Sequence, residues 1–134
     1  MGLILDTSVL IVWEREIASL ETIAERRRGQ PMGLSVVTAA ELLHGVHRAD
    51  STERRIRRSA YVEQILGSFP LYEFDLAVAR IYAELWASLE QRGTRISAHD
   101  LIIGATAVAR GDSVVTLNPR DFSRIPGLVL EPVT

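Results

Sequence analysis

Cysteine is absent from the 134 residues, which excludes thiol catalysis, disulfides and cysteine-ligated zinc. Lysine is absent as well, so all 15 basic residues are arginine. Without lysine there is no P-loop grip on phosphates, no Schiff-base amine and no kinase-type strand lysine. No apolar run approaches the ~18 residues that a bilayer span needs, so no membrane association is expected. The opening Met1-Gly2-Leu3-Ile4-Leu5-Asp6 lacks the basic start and cleavage site of a signal peptide, and a cytoplasmic chain is expected.

What is present fits one folded domain over residues 1–134. Hydrophobic residues make up 47% and charged residues 24%, ordinary values for a chain that buries a core. A net charge of −2 speaks against a nucleic-acid partner only on average. Arginines cluster at Arg26-Arg27-Arg28 and at Arg54, Arg55, Arg57 and Arg58. If four carboxylates were committed to a metal, 15 basic groups would face the remaining 13 acidic ones.

Short apolar runs alternate with helical patterns. Leu3-Ile4-Leu5 reads as a strand covered on both faces, Met32 to Ser35 as a second, and Phe69 to Phe74 as a third. Ser113 to Leu117 and Leu128 to Leu130 complete the strands, with Asp121-Phe122 as a turn before the last. Helices are expected from Thr7, over Ile17–Arg28, Val37–Arg48 and Thr52–Leu66, after the cap Asp75 until Gly93, and over Ala98–Arg110. The pattern predicts an α/β fold with a short parallel sheet between helix layers.

Four acids fall at strand-to-helix junctions: Asp6, Glu41, Asp100 and Asp121. Each alone has an ordinary explanation. Thr38 before Glu41, Ser97 before Asp100 and Asn118 before Asp121 spell a cap followed three positions later by an acid. Asp6 reads as a helix cap before Thr7 and Ser8. Together they point elsewhere, because in an open parallel sheet these junctions line one edge, where ligand sites form. Three ionised carboxylates ~5 Å apart repel by roughly 3 kcal/mol per pair at an effective dielectric near 20. Protonation is one relief and a divalent cation the other. An all-oxygen donor set suits Mg²⁺ or Mn²⁺ rather than zinc.

Four stretches also carry a family resemblance. Leu-Asp-Thr-Ser at Leu5–Ser8, Thr-Ala-Ala-Glu-Leu at Thr38–Leu42 with Gly45, the run Asp100–Ala107, and Thr-Leu-Asn-Pro-Arg-Asp-Phe at Thr116–Phe122 resemble the successive motifs of VapC-type PIN domains. Pro126-Gly127-Leu128 before the last strand extends the likeness almost end to end. The resemblance implies a PIN-domain fold and an Mg²⁺- or Mn²⁺-dependent endoribonuclease, the toxin of a toxin–antitoxin pair. Asp6, Glu41 and Asp100 match the family's metal-binding acids. Asn118 stands where many members carry a fourth aspartate, with Asp121 nearby, and either can complete the site. Thr7, Ser8 and Thr116 are expected to support the acids through their hydroxyls. The resemblance further implies an RNA substrate, a homodimer, and a cognate antitoxin laid across the site, giving a heterotetramer or larger. The helices from Ile17 to Leu66 would form the clamp for that antitoxin.

Other residues have competing readings. His44 and His47, three apart on a helix, suggest zinc, but no third ligand has supporting spacing and surface histidines are commoner. His99 beside Asp100 can touch substrate, Trp13 can stack on a base or pack in the core, and the Thr52–Leu66 arginines suit a solvated face or an RNA footprint. One rival is a catalytically weak PIN module that mainly binds RNA or a protein partner. Another is a different Mg²⁺ enzyme, but Asp6-Thr7-Ser8 lacks the Asp-x-Asp of haloacid-dehalogenase-like phosphatases, and the receiver lysine is missing.

Overall fold

A computed structural model describes residues 2–15, 25 and 28–133 of the chain. Five parallel strands form one sheet in the order β3-β2-β1-β4-β5. They are β1 (Leu3–Leu5), β2 (Met32–Ser35), β3 (Leu71–Tyr72), β4 (Ser113–Val115) and β5 (Val129–Glu131). The helices are α1 (Thr7–Arg15), α2 (Val36–His47), α3 (Thr52–Ser68), α4 (Leu76–Gln91), α5 (Ala98–Arg110) and the short α6 (Pro119–Phe122).

Strand periodicity divides the core into two layers. Successive side chains point to opposite faces, so Leu3 and Leu5 go one way and Ile4 the other. Leu3, Leu5 and Val115 pack with Val9, Leu10 and Trp13 of α1, Leu42 and Val46 of α2, and Val62 and Ile65 of α3. Ile4 and Val114 pack with Val78, Leu85 and Leu89 of α4, Leu101 and Ile103 of α5, and Phe122 of α6. The all-apolar Leu3-Ile4-Leu5 is therefore explained by cover on both faces. Trp13 is 2% exposed and belongs to the core, as the packing reading of that residue has it.

Sheet order fixes where a site can form. From β1 the chain steps to β2 and β3 on one side, then returns to place β4 and β5 on the other. The reversal lies between β1 and β4, whose registers pair Leu3 with Ser113 and Leu5 with Val115. Crevices beyond the carboxyl ends of strands at such a reversal are where open α/β sheets bind ligands.

Several expected boundaries change, each for a local reason. The Thr52 helix runs to Ser68, whose hydroxyl donates to the Gln64 carbonyl at 2.6 Å, so only Leu71 and Tyr72 of the expected Phe69–Phe74 strand pair with β2. β4 stops at Val115 rather than Leu117, because the Leu117 and Asn118 amides bond to the Ser8 and Thr116 hydroxyls instead of a neighbouring strand. The expected turn at Asp121-Phe122 is the end of α6, started by Pro119 at its first position. The last strand is shifted by one residue, to Val129–Glu131. The expected helix over Ile17–Arg28 lies almost wholly outside the described residues.

Candidate functional site

Asp6 is the residue immediately after β1 and is 4% exposed. Its Oδ2 accepts two hydroxyl bonds, from Ser8 Oγ and Thr116 Oγ1, each at 2.7 Å. Each hydroxyl has one proton to give, and each also accepts a backbone amide: Leu117 N at 3.1 Å on Ser8 and Asn118 N at 2.9 Å on Thr116. The network holds one carboxylate oxygen firmly, and no bond reaches Oδ1 among the described residues. A helix cap would spend the carboxylate on backbone amides, so this arrangement departs from the capping reading of Asp6.

Glu41 departs from that reading too. The cap of α2 is Ser35, whose side chain accepts from Val37 N at 3.2 Å, and Glu41 sits beyond the first turn. The Thr38-to-Glu41 pattern is therefore not a capping box. Thr7 Oγ1 donates to Glu41 Oε1 at 2.7 Å and lies 3.3 Å from the fully buried Thr38 Oγ1. His99 Nδ1 stands 3.5 Å from Glu41 Oε2, an ion pair only when the imidazole is protonated. Thr38 is thus a supporting residue that its cap-like spacing disguises.

Asp100 lies in the first turn of α5, and its amide donates to the cap Ser97 Oγ at 3.2 Å, as expected. Burial raises its carboxyl above the usual range, and the charge of Asp6 adds to this, followed by Glu41 and Asp121; a hydrogen bond with Ser97 opposes them. The four acids from β1, α2, α5 and α6 therefore share one electrostatic neighbourhood. Asn118 is different. It is exposed, occupies the cap position of α6 and makes no side-chain cap bond.

What offsets this charge decides what the site can hold. Among the described residues no arginine pairs with any of these four acids, and His99 is the one ionisable partner of Glu41. Carboxylates with hydroxyl neighbours and no cation suit a hard divalent ion. Among the described residues, no three Asp, Glu or His side chains form a closed ligand group. The donor chemistry, carboxylates with hydroxyl neighbours, fits such an ion. His44 and His47 are exposed and join no such group.

Comparison with known proteins follows the same line. The family model described as PIN domain matches residues 3–128. A ribonuclease VapC1 of Rickettsia felis is 37% identical over 128 residues, covering 96% of this chain and 93% of the relative. A tRNA(fMet)-specific endonuclease VapC of Salmonella typhimurium is 33% identical over 100 residues, covering 75% and 74%. Among solved structures, VapBC2 of Rickettsia felis, bound to a DNA fragment from its promoter, matches with a TM-score of 0.85 and 28% identity over 98% of each chain. DNA-bound VapBC of Salmonella typhimurium matches at 0.88 and 27%, over 100% of this chain and 99% of that one.

Proposed function

This chain belongs to the PIN-domain family, in its VapC-type branch, and on that footing we propose that it is a metal-dependent endoribonuclease, the toxin of a toxin–antitoxin pair. The observation that carries the proposal is the placement of Asp6, Glu41 and Asp121 near enough to raise the Asp100 carboxyl, with no arginine paired to any of the four among the described residues. Relatives named as ribonucleases and as a tRNA endonuclease supply the reaction class.

Asp6, Glu41, Asp100 and Asp121 would hold Mg²⁺ or Mn²⁺. Bound there, such an ion supplies a Lewis acid for the scissile phosphate and a water of lowered pKa. The chain's own residues set the geometry. Ser8 and Thr116 fix Asp6 through Oδ2, and Thr7 fixes Glu41 through Oε1. The crowding holds Asp100 ready to accept a proton or a cation. Exposed Asn118 can orient a water at the rim. Water oxygen attacks phosphorus and releases a proton to solvent, the bond to the 3′ oxygen breaks, and that oxygen takes up a proton. The products are a 5′-phosphate and a 3′-hydroxyl. Single-stranded or looped RNA suits the site, because its bases can be splayed.

The structural relatives are VapBC toxin–antitoxin complexes, which supports a cognate antitoxin as this chain's partner and inhibitor. A homodimer bound by antitoxin, as a heterotetramer or larger in the cytoplasm, completes the proposal. The test is direct: purified chain should cut single-stranded RNA with Mg²⁺ or Mn²⁺ and stop with EDTA. Cleavage that survives EDTA rejects the metal-dependent reading.

A further inference from the structure

Beside the acids lies an open cavity of about 540 Å³ whose wall is a stripe of α2. Glu41, His44, Gly45 and Arg48 follow one another at helical spacing along it, with Ile11 of α1 and His99 at the start of α5 also lining the space. Glu41 and Thr7 belong both to this cavity and to the acidic site, so the two are continuous.

Two features of the wall have no structural explanation. The first is Gly45. Its backbone is not in the left-handed region, and a Cβ built there would meet only Arg58 Cδ at 3.9 Å, an ordinary contact. Neither dihedral nor packing calls for glycine, yet glycine within a helix is less stable than alanine. The second is Arg48. It is the arginine that lines this space, and its exposed guanidinium has no acceptor among the described residues. Ile11, which also lines the cavity, is 52% exposed.

We infer that this cavity seats the nucleotide of single-stranded RNA next to the scissile phosphate, on the Glu41 side of the acids. Arg48 takes its phosphate as a fixed charged donor. Exposed His44 and His99 offer further hydrogen bonds to phosphate or base edge. The bare backbone at Gly45 and the Ile11 side chain give the sugar and base a flat, partly apolar floor. The unpaired Arg48 guanidinium lies seven residues from Glu41, about 10 Å at 1.5 Å per helical residue, and favours an anionic strand over a basic peptide at that end of the cavity. The inference rests on the endoribonuclease reading.

The test measures anisotropy of a labelled, mixed-sequence single-stranded oligoribonucleotide on the full chain, with EDTA present to prevent cutting. Arg48→Ala should weaken binding about tenfold and lower the salt-dependence slope by roughly 0.7. Gly45→Leu should weaken binding similarly while melting no lower than the wild type. Arg80→Ala, on an exposed position of α4 across the sheet, should bind as wild type. With metal present, Arg48→Ala should raise KM more than it lowers kcat. If Gly45→Leu fails to fold, the exposed Arg48→Ala decides alone. Wild-type RNA binding and KM in Arg48→Ala overturn the subsite and leave the nuclease standing. Wild-type chain that neither binds nor cuts RNA removes the nuclease reading and the subsite together.

Discussion

Thr116 Oγ1 donates to Asp6 Oδ2 at 2.7 Å, tying the end of β4 to the end of β1 across 110 residues of sequence. Because Thr116 is 8% exposed and Asp6 4%, water competes little for this bond. The same hydroxyl accepts the Asn118 amide, so one side chain both orients the acid and ends the strand.

Thr116→Val keeps the shape and removes the hydroxyl. Metal-supported RNA cleavage should fall about 10- to 100-fold, the range seen when residues that orient metal ligands are lost. Thr116→Ser should restore most of it. Equal rates in the wild type and Thr116→Val would show that the hydroxyl does not orient Asp6 for cleavage.

Asp100 yields a stability prediction whose sign opposes its activity prediction. Its folded carboxyl titrates above the ordinary value, so the associated stability is present below the ordinary carboxyl range and lost as pH rises through the folded value. At neutral pH without metal, the ionised group is a burden. Asp100→Asn should therefore melt higher than wild type at neutral pH, with the advantage fading on acidification. It should also lose cleavage and most of the rise in Tm that Mg²⁺ or Mn²⁺ gives the wild type. Thermal melts across the acid range, with and without metal, check both halves. A lower Tm at neutral pH would contradict the crowding.

The fourth corner of the site can be assigned by paired substitutions. The charge of Asp121 is felt at Asp100, whereas Asn118 is exposed and makes no cap bond. Asp121→Asn should lower cleavage about tenfold or more, and Asn118→Ala by no more than about threefold, on the scale of ligand against rim residue. The reverse ranking, read from initial rates, would move the corner to Asn118.

Tyr61 tests the seam between α1 and α3. Its hydroxyl donates to the Leu10 carbonyl. Burial, then the charge of Glu14, pushes its pKa up to about 12. Its contribution is intact below the ordinary phenol value of about 10 and is lost as pH rises through about 12. Tyr61→Phe should cost about 1 kcal/mol, the net value of such a bond. Phenolate absorbance in that variant should lose its highest-pH component. An unchanged titration would place that component on another tyrosine.

The sequence made some elements legible to the residue. Ser97 as a cap and Ala98–Arg110 as a buried helix follow from a hydroxyl before an apolar run, and the strand Met32–Ser35 follows from a short run after Pro31. The surroundings of Glu41 are not legible in the sequence, since Thr38 imitates a cap only a few residues inside the one Ser35 provides. Leu117 looks like strand because the diversion of its amide to Ser8 depends on a contact more than a hundred residues away in sequence. The order that places β4 beside β1 is likewise a tertiary fact, and the meeting of Asp6 with Thr116 depends on it.

The most direct measurement maps 5′ ends of RNA after incubation with purified wild type, Asp6→Asn and Asp100→Asn, in Mn²⁺ and in EDTA. Discrete 5′-phosphate ends are expected from wild type in Mn²⁺ alone, with both variants and the EDTA sample at background. The same ends, produced at the same rate by Asp6→Asn, would contradict a metal site built on Asp6.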